Sequence, residues 1–167
     1  FTATAATSGS SSCSATTSGT GVAGKYTISV TQLAQAQTLT SAVQTSNTTA
    51  LGDSSASSRT LSIALKDGTS KDITLTSDQT SLTGMRDAIN SADAGLSATI
   101  IKVGDGSYRL SLTSSETGSD NAVSPIKVTG DATLQGILGY DSTASTNPMT
   151  ERVTAQHATL TAQHVEI

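Results

Sequence analysis

Tryptophan is absent from this 167-residue chain, and phenylalanine occurs once, at Phe1. With aromatics at 2% of residues, any core must be filled by Ile, Leu, Val and Ala, which suits many short strands with small side chains. Charge is sparse too: Asp, Glu, Lys and Arg make up 13%, with nine scattered basic residues against thirteen acidic ones and a net charge of −4. Affinity for a phosphate backbone comes from clustered Lys and Arg, so nucleic acid is excluded as a partner. No stretch approaches the roughly 20 consecutive apolar residues that cross a bilayer, which argues against membrane insertion. Nor does a basic start lead into an apolar run, so no Sec-type signal is read. Cys13 is the only cysteine, leaving no disulfide framework and no thiolate pair for a metal. No histidine lies near enough in sequence to activate it, and it reads as an inert thiol. The chain begins at Phe1 inside an apparent strand, without an initiator Met, and is read as an excised piece of a longer protein.

What is plentiful is hydroxyl. Ser and Thr supply roughly a third of the residues, a bias toward strands and loops rather than long helices. Phe1 to Thr7 reads as a strand, followed by a low-complexity polar stretch to Gly24. Tyr26, Ile28 and Val30 alternate as in a half-buried strand, and Leu33 to Leu39 either continues it or bends into a helical turn. Residues 41–58 have no period and read as a linker. Leu61, Ile63 and Leu65, the Asp67-Gly68 turn, and Ile73 and Leu75 spell a β-hairpin. Thr80 or Ser81 then caps a helix whose apolar residues Leu82, Met85, Ala88 and Ile89 share one face, ended by Gly95. Leu96–Val103, a Gly104-Asp105-Gly106 turn and Tyr108–Leu112 form a second hairpin, with a polar loop from Thr113 to Asn121. A strand at Ile126–Thr129, a short helix at Ala132–Leu138 closed by Gly139, and a polar stretch from Asp141 to Pro148 follow. Strands at Val153–Gln156 and Ala158–Ala162, a turn near Gln163-His164, and a strand starting at Val165 complete the reading. The predicted class is α+β, mostly β, with two small β-rich domains. Residues 1–45 plus 146–167 make a discontinuous domain whose flanking strands pair with each other, and 46–145 form a domain inserted into it, with one helix packed on antiparallel strands.

Several patterns resemble chemistry and are better read as structure. Gly19, Gly21 and Gly24 fit G-x-G-x-x-G, but a Ser/Thr tract precedes them and a strand follows, the reverse of what a dinucleotide site needs. His157 and His164, with Glu166 nearby, straddle a predicted turn; two histidines fall short of the three or four ligands zinc takes, and they read as solvent-facing. Asp105, Glu116, Asp120 and Asp131 do not form a calcium loop, and three of the four lie in turn contexts that favour Asp. Asn47-Thr48-Thr49 is a glycosylation sequon of the kind a Thr-rich chain contains by chance. No catalytic, cofactor-binding or metal-binding residue is assigned, no cofactor is expected, and the chain is read as not an enzyme.

Three segments resemble a known family. Gly24-Lys25-Tyr26-Thr27-Ile28-Ser29-Val30 through Leu39 resembles the N-terminal segment of the flagellar filament capping proteins, the FliD or hook-associated protein 2 family. Ser81-Leu82-Thr83-Gly84-Met85-Arg86-Asp87-Ala88-Ile89-Asn90, with Gly95–Ile100 and Tyr108–Gly118, is similar to the "IN" repeat of flagellar proteins, at about 81–118. Ala155-Gln156-His157-Ala158-Thr159-Leu160 is similar to the start of the family's C-terminal region, although His157 stands where Asn is more usual. The resemblance implies a secreted structural component at the distal filament tip, with flagellin subunits and further copies of itself in a cap ring as partners. It also implies that the family's long terminal helical legs lie outside this chain. An adhesive or ligand-binding surface module is the alternative, and the outer domain of another hook-associated protein is a third possibility. Outer-domain interfaces are expected to be weak and polar.

Overall fold

The computed structural model describes Ser14, Thr16 and residues 24–165, which fall into two compact units. The expected strand at Phe1–Thr7 and Cys13 lie outside the described residues. The smaller unit takes its described residues from the segments up to Thr31 and from Leu160 onward. It holds most of β1 (Lys25–Gln32) and β9 (Thr159–Val165), which pair with each other as a two-stranded sheet. Period two puts Tyr26, Ile28 and Val30 on one face of β1, each more than half exposed.

The larger unit, Gln32–Thr159, contains two sheets and two helices. One sheet has the order β5-β6-β2-β8, from β5 (Leu96–Gly104), β6 (Ser107–Ser114), β2 (Thr38–Thr40) and β8 (Thr150–Val153). The other has the order β4-β3-β7, from β4 (Ser70–Thr74), β3 (Thr60–Leu65) and β7 (Val123–Thr129). Both predicted hairpins form: Leu61 pairs with Ile73 and Ile100 with Leu110. At the first turn Gly68 takes φ +92°, and Thr69 N–H donates to Asp67 Oδ1 at 2.8 Å.

The helix α1 (Leu82–Ala92) follows the predicted face. Ser81 is its N-cap, accepting from Gly84 N–H at 3.1 Å, and Leu82, Met85, Ala88 and Ile89 are buried. These side chains pack against β5, β6 and β4, joining Leu39, Leu61, Ile63, Leu110 and Leu112 in one core. Each such side chain contributes about 1.5–3 kcal/mol by leaving water. Helix α2 (Ala132–Leu138) adds Leu134 and Leu138 to the same core. A 3-10 turn at Ser77–Gln79 leads into α1; a Cβ on Gly84 would lie 2.5 Å from Gln79 Cα, so only glycine permits this approach.

Several local expectations are corrected. Strand β9 runs through Gln163 and His164 without the predicted turn, since both residues have strand backbone beside β1. β8 ends at Val153, and Gln156 makes only an isolated bridge to Gln35. Leu33–Leu39 is neither a continuous strand nor a helical turn: the bridge at Gln35 and the short β2 are its ordered parts. β2 hydrogen-bonds β6 on one side and β8 on the other, because the open edge of β6 needs a partner and Leu39 is then fully buried.

Two polar devices hold these layers. Asn90, on α1, pairs with Ala98 at the free edge of β5: its Nδ2 donates to Ala98 O at 2.9 Å, and Ala98 N–H donates to its Oδ1 at 2.7 Å. The side-chain amide thus stands in for a neighbouring strand. The second is a buried ion pair, Arg59 Nε to Asp131 Oδ2 at 2.9 Å, with both residues at most 4% exposed. Asp131 also caps α2 by accepting from Leu134 N–H at 3.0 Å and accepts from Asp53 N–H at 2.8 Å, while the Arg59 guanidinium donates to Asp53 O. The later part of the apparent linker at 41–58 is thereby tied to two elements. Burial alone would raise the Asp131 pKa, but the Leu134 amide, the Arg59 guanidinium and the Asp53 amide together hold it below 3.8.

Asp131→Ala strands a buried guanidinium and is expected to cost about 3–5 kcal/mol in urea unfolding. Asn90→Ala unpairs the Ala98 amide and is expected to cost about 1–3 kcal/mol. Because the Asp131 pKa is depressed in the fold, its contribution is present above the ordinary value near 3.8 and lost as pH falls through the lowered folded value. An acid titration of stability checks this: the Asp131→Asn variant should lose less stability than the parent on going from pH 5 to below that value.

Candidate functional site

The residues that resembled chemistry do not converge. Gly19, Gly21 and Glu166 lie outside the described residues, and Gly24 immediately precedes β1, so a strand follows the glycines. His157 is about half exposed, with Nε2 3.7 Å from Asp120 Oδ2 and its ring against the backbone of Gly118. His164 belongs to β9 in the smaller unit. Asp105 sits at the tip of the β5–β6 hairpin, 3.0 Å from Lys102 Nζ, with both groups exposed. Glu116 and Asp120 occupy the loop after β6, while Asp131 is the buried cap of α2. Among the described residues no three His, Cys, Asp or Glu side chains gather as metal ligands would. Asn47 of the sequon straps the start of α1: its carbonyl accepts from Thr83 N–H and Thr83 Oγ1, each at 2.9 Å.

The segment Gly24–Leu39 does contain a residue on which the larger unit converges. Gln37 is 3% exposed and uses its whole amide. Its Oε1 accepts from Val123 N–H at 2.8 Å, and its Nε2 donates to Glu151 Oε1 at 2.7 Å and to the Tyr140 hydroxyl at 3.2 Å. Its carbonyl accepts from Ser114 N–H at 2.9 Å. One side chain therefore joins β7 and β8 beside the short β2. Burial, then the Glu151 carboxylate, pushes the Tyr140 hydroxyl up from its ordinary value, so it stays protonated. This is a structural joint rather than a reactive one. Sequence reasoning missed both Gln37 and Arg59, since a lone polar residue in a polar segment carries no signal of burial.

Two surfaces on the larger unit differ in sign. Strand alternation sends Leu39, Leu110, Leu112 and Ala98 to the core, so Thr40, Ser111, Thr99 and Arg109 lie on the opposite face of β2, β6 and β5, where Thr99 is exposed, Arg109 is half-buried, and Thr40 and Ser111 are covered. Arg152, at the irregular step between β2 and β8, joins that face by donating from Nε to Thr40 Oγ1 at 3.0 Å, while Arg109 Nη1 donates to Ser41 O at 2.7 Å. Elsewhere, a cleft of about 320 Å³ opens between the β3–β4 turn, the end of α1 and the loop after β6; Asp67, Asp93 and Glu116 line it alongside Lys71. The outward Arg109 was legible in the alternation with Leu110 and Leu112; the Arg152 direction depends on the register step.

Comparison with known proteins gives these features a family. The flagellin hook IN motif matches residues 60–116, from β3 to just past β6. The flagellar hook-associated protein 2 of Escherichia coli strain K12 is 49% identical over 171 residues, covering all of this chain and 35% of that protein. Its counterpart in Salmonella typhimurium is 41% identical over 119 residues, 70% of this chain and 25% of that protein. This chain thus spans about a third of the length of the curated relative from K12. The crystal structure of the D2–D3 domains of the E. coli flagellar cap protein FliD superposes with a TM-score of 0.84 at 49% identity, over 96% of this chain and 81% of that one. The corresponding Serratia marcescens domains give 0.76 at 41% identity, over 82% and 72%. The mostly β fold with two helices, the IN motif inside it and the identity across almost its whole length show that the chain belongs to the flagellar hook-associated protein 2 (FliD) family of flagellar cap proteins.

Proposed function

We propose that the chain is the outer, β-rich part of a flagellar filament cap, a secreted structural piece at the distal tip that assists flagellin polymerisation and carries out no reaction. The observation that carries this reading is the 49% identity and TM-score of 0.84 to the D2–D3 domains of a flagellar cap protein. The physics supports it. The IN motif is used as a packing unit, with α1 plugging the core and Asn90 sealing the edge of β5, and its side chains are spent on the fold. Such a chain works by shape and by contact with flagellin and with further copies of itself. The comparisons lend the adhesive alternative no support.

We further propose a nested arrangement, in which β1 and β9 belong to a discontinuous domain and the chain between them is inserted. An isolated two-stranded sheet is marginal in water, which makes the exposed row Tyr26, Ile28 and Val30 a face that the rest of its domain completes.

Replacing residues 32–159 by a short Gly/Ser linker in the full-length protein tests the function. The expected outcome is flagellin leaking into the medium and lost swimming; normal filaments and swimming would overturn the capping role of this unit. The 167-residue chain alone is expected to be monomeric or weakly associated at micromolar concentration, and a tight ring in light scattering would contradict that.

A further inference from the structure

We propose that the outward face of the β5-β6-β2-β8 sheet is a contact surface between neighbouring copies, and that its occupant is the acidic cleft of a second copy. The inference rests on the cap-ring reading and adds which surfaces meet. In a chain of net charge −4, this face stands out by its sign. Arg109 and Arg152 bracket the exposed hydroxyl of Thr99 and the buried one of Thr40, and Ile101 lies exposed beside them. The sole carboxylate within these four strands, Glu151, pairs opposite Leu39 and is engaged by Gln37 on the other face. The face is therefore cationic, and its four strands place no carboxylate on that side. Its guanidinium groups are fixed, one on Ser41 O and the other on Thr40 Oγ1, which reduces the entropy lost when a partner docks.

The complementary surface is the cleft at the end of α1. Asp67, Asp93 and Glu116 are all exposed around it and only Lys71 opposes them in charge. The two surfaces are built from different elements, so the contact is head-to-tail rather than two-fold. A heterologous contact closes into a ring when its rotation permits, which is the geometry a cap needs. Rim charges of this kind set orientation and association rate more than affinity, in keeping with weak association of the isolated chain. The multiple contacts of a ring supply the remaining affinity.

The test uses the full-length protein with Thr99→Glu, Glu116→Lys, and both together, followed by sedimentation velocity at low ionic strength. Both positions are exposed, and circular dichroism verifies that each variant is folded. Each single change puts like charges against each other and should raise the concentration for half-assembly at least about tenfold. The combined variant exchanges the two signs and should recover most of that loss. Singles that assemble like the parent, or a combined variant no better than the singles, would overturn the proposal. Intact assembly with lost flagellin polymerisation would also overturn it and give the face to flagellin. A parent protein that never assembles would sink the ring reading itself, an outcome distinct from indifferent variants of an assembling parent.

Discussion

Leu82, Met85 and Ile89 leave one face of α1 and are taken up wholly between two small sheets, and almost every other feature of the larger unit is arranged around that plug. The constraint comes from composition. With no tryptophan and one phenylalanine, at Phe1, a few aliphatic side chains must fill the space that rings fill elsewhere. A single layer of Leu and Ile cannot serve two independent cores. The unit therefore has one core, to which both sheets and both helices contribute. That economy explains why β2 is drawn in beside β6 and β8 beside β2, far apart in sequence: Leu39, and Met149 just before β8, complete the packing.

Small aliphatic cores specify register poorly, since Leu, Ile and Val exchange positions at little cost. Here the registry is carried by polar groups, two buried and one at the edge of a sheet, that tolerate only one arrangement. Gln37 satisfies partners on β7 and β8 at once, Asn90 ties α1 to β5, and Asp131 joins Arg59, the cap of α2 and the segment around Asp53. A buried ion pair adds little net stability over an apolar replacement, but losing one partner is costly. These groups act as keys that exclude misfits, and the aliphatic plug supplies the bulk of the driving force.

Much of this was legible in the sequence, and the failures share a cause. Period two and period 3.6 located both hairpins, α1 and α2, because those signals are local. The IN pattern from Ser81 to Asn90 pointed to flagellar proteins, and the segment Gly24–Leu39 with the order of all three segments pointed to the cap family that the comparisons then established. Long-range pairing was not legible. Nothing within Thr38-Leu39-Thr40 says that its partners are residues 111–113 and 150–153. Asp131 resembled a turn residue because the cation that holds it, Arg59, lies 72 positions earlier. Neither candidate contact face was read from the sequence: alternation with Leu110 and Leu112 carries a signal for Arg109, whereas Arg152 reaches that face through a local irregularity.

The proposed role by shape needs the larger unit to move as one body, which requires that the whole segment 32–159 share a single core. Native-state hydrogen exchange tests it most directly. Amides of β2 in the ladder with β6 should open with the same free energy as those of β3 and of the middle of α1, as members of one cooperative unit. If β2 and β8 instead exchanged together at much lower free energy, while β3 to α2 stayed protected, the core would be divided near 45/46 and 145/146 and the single-body account would be wrong.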